Sequence, residues 1–119
     1  MGWPVLFDEA FALEFSALAP DVQTALLAKA RLLEVFGPSL GRPHVDTLKA
    51  SKHPNMKELR FDAADGAWRA VFAFDIRRQA LILVAGDKSG CAQTRFYRTL
   101  IATADKRFDA HLKRLKKEN

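Results

Sequence analysis

The chain of 119 residues has one cysteine, Cys91, so it can form neither an internal disulfide nor a multi-cysteine metal site. Its three histidines, His44, His53 and His111, show no HExxH spacing and no close carboxylate grouping, which removes the common zinc patterns. No phosphate loop, dinucleotide glycine fingerprint or GxSxG elbow occurs. The apolar runs fall far short of the roughly 18–20 residues of a membrane span. The stretch MGWPVLFDEAF lacks the basic start and apolar run of a secretory signal. The expectation is a protein without metal or organic cofactor and without a membrane partner, working in a reducing cytoplasm.

What is present in surplus is positive charge. A formal net charge of +5 favours polyanionic partners. Most acidic residues fall in the first half or in turns. Lys49, Lys52, Lys57, Arg60, Arg69, Lys88, Arg95 and Arg98 instead gather between residues 49 and 98. With 49% hydrophobic and 28% charged residues, the chain suits one globular domain, 1–119, with a modest core.

Three short strands form the centre of the sequence. Leu59 to Phe61 alternates apolar and basic, Trp68 to Phe74 is aromatic and β-branched, and Leu81 to Ala85 is aliphatic. Ala64-Asp65-Gly66 and Asp75 to Gln79 are connections of hairpin length, so the reading is an antiparallel meander. Before it, Pro4 to Phe7 reads as a first strand. Asp8 caps a helix carrying Phe11, Phe15 and Leu18, and a second helix runs from Asp21 to a stop at Gly37-Pro38. Gly37 to Met56 shows no sustained period and reads as a long loop containing Lys49, Lys52 and His53. The last element, about Gln93 to Leu115, is the longest helix, with Phe96, Leu100, Ala104, Phe108, Leu112 and Leu115 near one face.

Arg69 is the odd residue of its strand. Alternation places it with Val71 and Ala73, opposite Trp68, Ala70 and Phe72, and an unpaired guanidinium among such neighbours is costly. Two readings follow: an ion pair with Glu58, Asp62 or Asp75, or an anion site shared with Arg60. A set of Arg and Lys with one tyrosine, Tyr97, suits metal-free RNA cleavage by the ribose 2′-hydroxyl. Fixed guanidiniums stabilise the phosphorane, and a lysine or tyrosine whose pKa is lowered by nearby cations serves as base.

The strings WPVLF, FGPSLGRPHVDTLKASKHPNMKELRF, WRAVFAFD and LILVAGDKSG, followed by RFYRTLIATAD, resemble the RelE/ParE superfamily of bacterial toxins in its HigB-like branch. The resemblance spans nearly the whole chain. It implies an α+β fold of the RelE, microbial-ribonuclease-like kind, with an N-terminal strand and a helical hairpin packed on an antiparallel sheet and a long C-terminal helix. It also implies the toxin of a type II toxin–antitoxin pair, an mRNA endoribonuclease working on the ribosome. The implied partners are mRNA, a helix-turn-helix HigA-like antitoxin, and operator DNA reached only through that antitoxin. By the resemblance, Arg69 contacts the scissile phosphate, Arg60 is base or phosphate ligand, Lys88 is the basic position after the last strand, and Tyr97 stacks on or orients a base. Lys49, Lys52, His53, Lys57, Arg95 and Arg98 are then RNA contacts, with His53 also a candidate replacement for a late catalytic histidine. The alternative is a ParE-like, non-enzymatic inhibitor of DNA gyrase, in which the same basic residues are surface charges or ion pairs.

Overall fold

The computed structural model describes residues 2–118. Strand β1 (Val5–Phe7) leads into helix α1 (Glu9–Ser16), which starts where expected because the Asp8 carboxylate accepts from the Ala10 and Phe11 amides at 3.1 Å. Helix α2 (Pro20–Phe36) has proline in its first turn, where no amide partner is lost. It ends at Gly37, whose φ of +56° and contact with the Trp3 indole leave no room for a Cβ.

The segment expected to be one long loop holds regular structure. A short 3-10 turn (Gly37–Ser39) is followed by β2 (Val45–Thr47), paired antiparallel with the start of β3 (Lys57–Ala63). A three-residue strand shows too little alternation to stand out, and the surrounding prolines read as loop.

Strands β3, β4 (Gly66–Phe74) and β5 (Ala80–Asp87) form the expected meander. The β3–β4 turn is made by Ala64 and Asp65, with φ of 51° and 61°, the left-handed pair of a type I′ hairpin. Gly66 serves a different purpose: a Cβ there would lie 2.5 Å from an Asp87 carboxylate oxygen. The sheet order is β1-β5-β4-β3-β2, with β1 parallel to β5 and all other pairs antiparallel.

Both faces of the sheet are buried. Phe11, Val22, Leu26 and Leu33 of α1 and α2 pack on Leu59, Phe72 and Ile82. The long helix α3 (Gln93–Lys117) lays Leu100, Ile101, Ala104 and Phe108 on the opposite face, against Val71, Ala73, Leu81 and Leu83. Burial on both sides explains the unbroken aliphatic run of β5. A bulge also contributes: Val71 pairs with Val84 but Phe72 with Ile82, which leaves Leu83 as the extra residue.

Past Phe7, β5 loses its outer neighbour, and α3 takes over the edge. Arg107 donates to the Leu83 carbonyl at 2.7 Å and grips both Glu14 carboxylate oxygens at 2.6 and 2.9 Å. Among the described residues no helix is long and apolar enough to cross a membrane.

Candidate active site

The β3–β4 register places Arg60 directly opposite Arg69, and alternation turns both toward the α3 side of the sheet. Two like charges facing each other repel, so something must offset them. Glu58 does so. It lies two residues before Arg60 on the same face and is 3% exposed. Its two oxygens stand 3.5 Å from Arg60 Nε and 3.7 Å from Arg69 Nε. Of the three carboxylates considered as partners for Arg69, Glu58 is the one beside it. Asp75 is instead occupied by His111 and by the amides of Arg77 and Gln79.

Tyr97, in the first turns of α3, closes the cluster by donating its hydroxyl proton to Glu58 Oε1 at 2.7 Å. Burial pushes the Tyr97 pKa up, and the hydrogen bond to Glu58 pushes it further, against a smaller opposing effect of Arg69. The expectation of a tyrosine base with lowered pKa is therefore corrected. At neutral pH Tyr97 is a proton donor, and the carboxylate beside it is the acceptor.

Arg69 is 8% exposed and also donates to the Trp68 carbonyl at 2.8 Å. Yet the Nε atoms of Arg60 and Arg69 are buried without a hydrogen-bond partner, Glu58 meeting them at ion-pair distance only. Buried donors of this kind cost about 1–3 kcal/mol each when no acceptor meets them. Gly86 stands opposite Arg69 on β5, where a Cβ would meet Phe96 at 3.1 Å and crowd α3. Lys88 follows two residues later, roughly 7 Å along the strand direction, its amide held by the Ala67 carbonyl.

The other basic candidates do not converge on this cluster. Lys57 shares the parity of Leu59 and Phe61, so it belongs to the face covered by α1 and α2. Lys52 is ion-paired with Asp109, and His53 Nε2 lies 2.9 Å from the same carboxylate. Ser51 and the Lys52 amide bind Asp105. Those carboxylates sit two and three turns after Tyr97, roughly 12–18 Å along α3. Lys52 and His53 thus fasten their loop to the helix. Lys49, Arg95 and Arg98 are exposed, the last two on the opening turns of α3. Among the described residues no grouping of His, Cys, Asp and Glu suits a metal ion.

Residues 13–109 match the family model of phage-derived Gp49-like proteins (DUF891). The chain belongs to the Gp49-like family. Relatives of this Gp49-like chain include two proteins of Mycobacterium tuberculosis, named "Putative toxin HigB2" and "Putative toxin HigB3". The first is 42% identical over 82% of the chain and the second 45% identical over 78%. The matched segment spans about half of the first relative, 48%, and 79% of the second. The fold is that of E. coli toxin RelE. A mutant of that toxin in the free state aligns with a TM-score of 0.59, covering 90% of this chain and 98% of its own, at 18% identity. The expected RelE-like α+β architecture is thereby confirmed.

Proposed function

We propose that this Gp49-like chain is the toxin of a type II toxin–antitoxin pair and acts as a metal-independent endoribonuclease on ribosome-bound mRNA. The observation that supports this reading best is the Glu58–Tyr97 hydrogen bond held between two guanidiniums with unpartnered Nε donors. The names of the two mycobacterial relatives point the same way.

Phosphodiester cleavage by the neighbouring ribose hydroxyl needs one group to take a proton, one to give a proton, and cations on the phosphorane. Glu58 takes the 2′-hydroxyl proton as that oxygen attacks phosphorus. Arg69 and Arg60, with Lys88 at the rim, hold the charge gathering on the non-bridging oxygens. Each well-aimed donor contributes about 3–4 kcal/mol to such a transition state. Tyr97 gives its proton to the departing 5′-oxygen, leaving a 2′,3′-cyclic phosphate and a 5′-hydroxyl. Glu58 then returns its proton to Tyr97 across their hydrogen bond, which restores the starting state. Lys49, Arg95 and Arg98 remain exposed for more distant phosphates, whereas Lys52 and His53 contribute through the loop they hold.

The partner in this reading is a cognate antitoxin of helix-turn-helix type, through which the pair reaches its operator. The gyrase-inhibitor alternative is not favoured, because Arg69 is buried beside a carboxylate and does not project as a surface charge toward a protein partner. The test is primer extension on a defined message in a translating extract, comparing wild type with Arg69→Ala. Ribosome-dependent cuts that vanish in a folded Arg69→Ala protein support the proposal. Undiminished cutting by that variant refutes the site, and growth arrest without any cuts refutes the activity.

A further inference from the structure

Arg60 and Arg69 also line a second space, together with residues of α2. Beyond the end of β2 a cleft of about 650 Å³ opens between β3 and α2, with Lys29, Pro43 and Asp62 completing its rim. Lys29 is half-buried, and its ammonium lies 2.8 Å from His44 Nδ1. Among the described residues no carboxylate comes within ion-pair distance of Lys29.

An ammonium can only donate, so in this contact His44 Nδ1 stands as acceptor to Lys29. The pair therefore has an uncompensated positive charge and spare N–H donors. The imidazole is also fixed relative to the catalytic strand, since the His44 carbonyl accepts from the Arg60 amide at 2.8 Å. Asp46, the nearby carboxylate of β2, is taken by Arg42 at 3.1 Å. Lys29, Arg60 and Arg69 thus face a cleft whose rim carboxylate is Asp62, and the single negative charge of Glu58 is divided between the two guanidiniums.

We infer that Lys29 and His44 form a second phosphate subsite, which holds a phosphodiester neighbouring the one at Arg69 and so draws the strand across the edge of β3. The inference rests on the RNA-cleavage reading but is separable from it. A backbone phosphate suits the site because it offers several acceptor oxygens to donors that converge from α2, the 41–44 loop and β3. Sequence reasoning gave no hint of it, since Lys29 lies on an amphipathic helix and His44 in a proline-flanked loop.

The test uses a 2′-deoxy oligonucleotide, which has no attacking hydroxyl, and measures its binding to the full chain by fluorescence anisotropy across a salt series. Lys29→Gln is expected to weaken binding about tenfold and to reduce the slope of log affinity against log salt by about one. Lys29→Arg should recover both, and Arg31→Gln, elsewhere on α2, should change neither. Wild-type affinity and slope in Lys29→Gln overturn the subsite, as does failure of the wild-type protein to bind the oligonucleotide. If message is cut and Lys29→Gln binds normally, the subsite alone fails. If binding depends on Lys29 and no message is cut, the subsite stands and the endoribonuclease reading fails.

Discussion

Replacing Glu58 by glutamine isolates what one negative charge does at the centre of the site. The amide keeps the shape of the side chain and an oxygen for the Tyr97 hydroxyl, but Arg69 loses its counter-charge while 90% buried, its side chain being 10% exposed. At 3.7 Å the lost attraction is about 4 kcal/mol for an effective dielectric near 20. The Trp68 carbonyl still accepts from Arg69 and recovers part of this. The opposed guanidinium of Arg60 then repels Arg69 without relief. A net destabilisation of about 3 kcal/mol is expected, in line with buried pairs that lose one partner. Urea unfolding followed by circular dichroism should show the midpoint falling by about 1–3 M. Added sulfate should restore more stability to the variant than to the wild type, because an anion bound only by the folded state acts by linkage. RNA cleavage should vanish while oligonucleotide binding is kept or strengthened. A loss below about 1 kcal/mol, the size expected of an exposed ion pair, would refute the argument that Glu58 neutralises buried arginines. Full cleavage activity would remove it as the proton acceptor.

Three further outcomes follow from other parts of the molecule. Tyr97 is the only tyrosine, so phenolate absorbance reports it alone, and its midpoint should lie above the ordinary 10.0. Because the folded pKa is raised, this stabilisation is present below pH 10 and is lost as pH rises through the folded value; a midpoint at or below 10 contradicts the burial argument. Glu14 is shifted in the opposite direction, its carboxyl held down chiefly by the Arg107 hydrogen bond. Its contribution is complete above pH 4.5 and is lost as pH falls through the lower folded value, so Glu14→Gln should flatten the acid limb of a melting-temperature profile. Ala64→Asn with Asp65→Gly relieves two left-handed L residues and should stabilise the hairpin by about 1 kcal/mol, read as a higher melting temperature.

A shared face for Arg60 and Arg69 was legible only as a possibility, because alternation sorts faces within a strand and the cross-strand match depends on the two-residue turn at Ala64-Asp65. Within β3 the same parity adds Glu58 and excludes Lys57. The structure sets Tyr97 beside Glu58, but the direction of its pKa was not legible, since that depends on burial between α3 and the sheet. Lys52 and His53 were read as RNA contacts from their basic surroundings. Their carboxylate partners, Asp105 and Asp109, lie more than fifty positions away on another element, and no local pattern records such pairing. The parallel pairing of β1 was equally hidden, because a three-residue strand does not announce its neighbour. Asp8, Gly37 and the central strands were legible because caps, stops and alternation act over a few residues.

The position of β1 also bears on the order in which the molecule assembles. Strands β3, β4 and β5 pair with their immediate successors, so the surface carrying Glu58, Arg60 and Arg69 closes through short loops. Val5 meets Ala80 only after most of the chain has been gathered, and the entropy of that closure grows with the length enclosed. We expect the central strands β3, β4 and β5 to gain protection first and β1 last, an order that pulse-labelled amide exchange during refolding would reveal or contradict. A chain stalled at that stage would already present its paired arginines to anions, with one edge of the sheet still open.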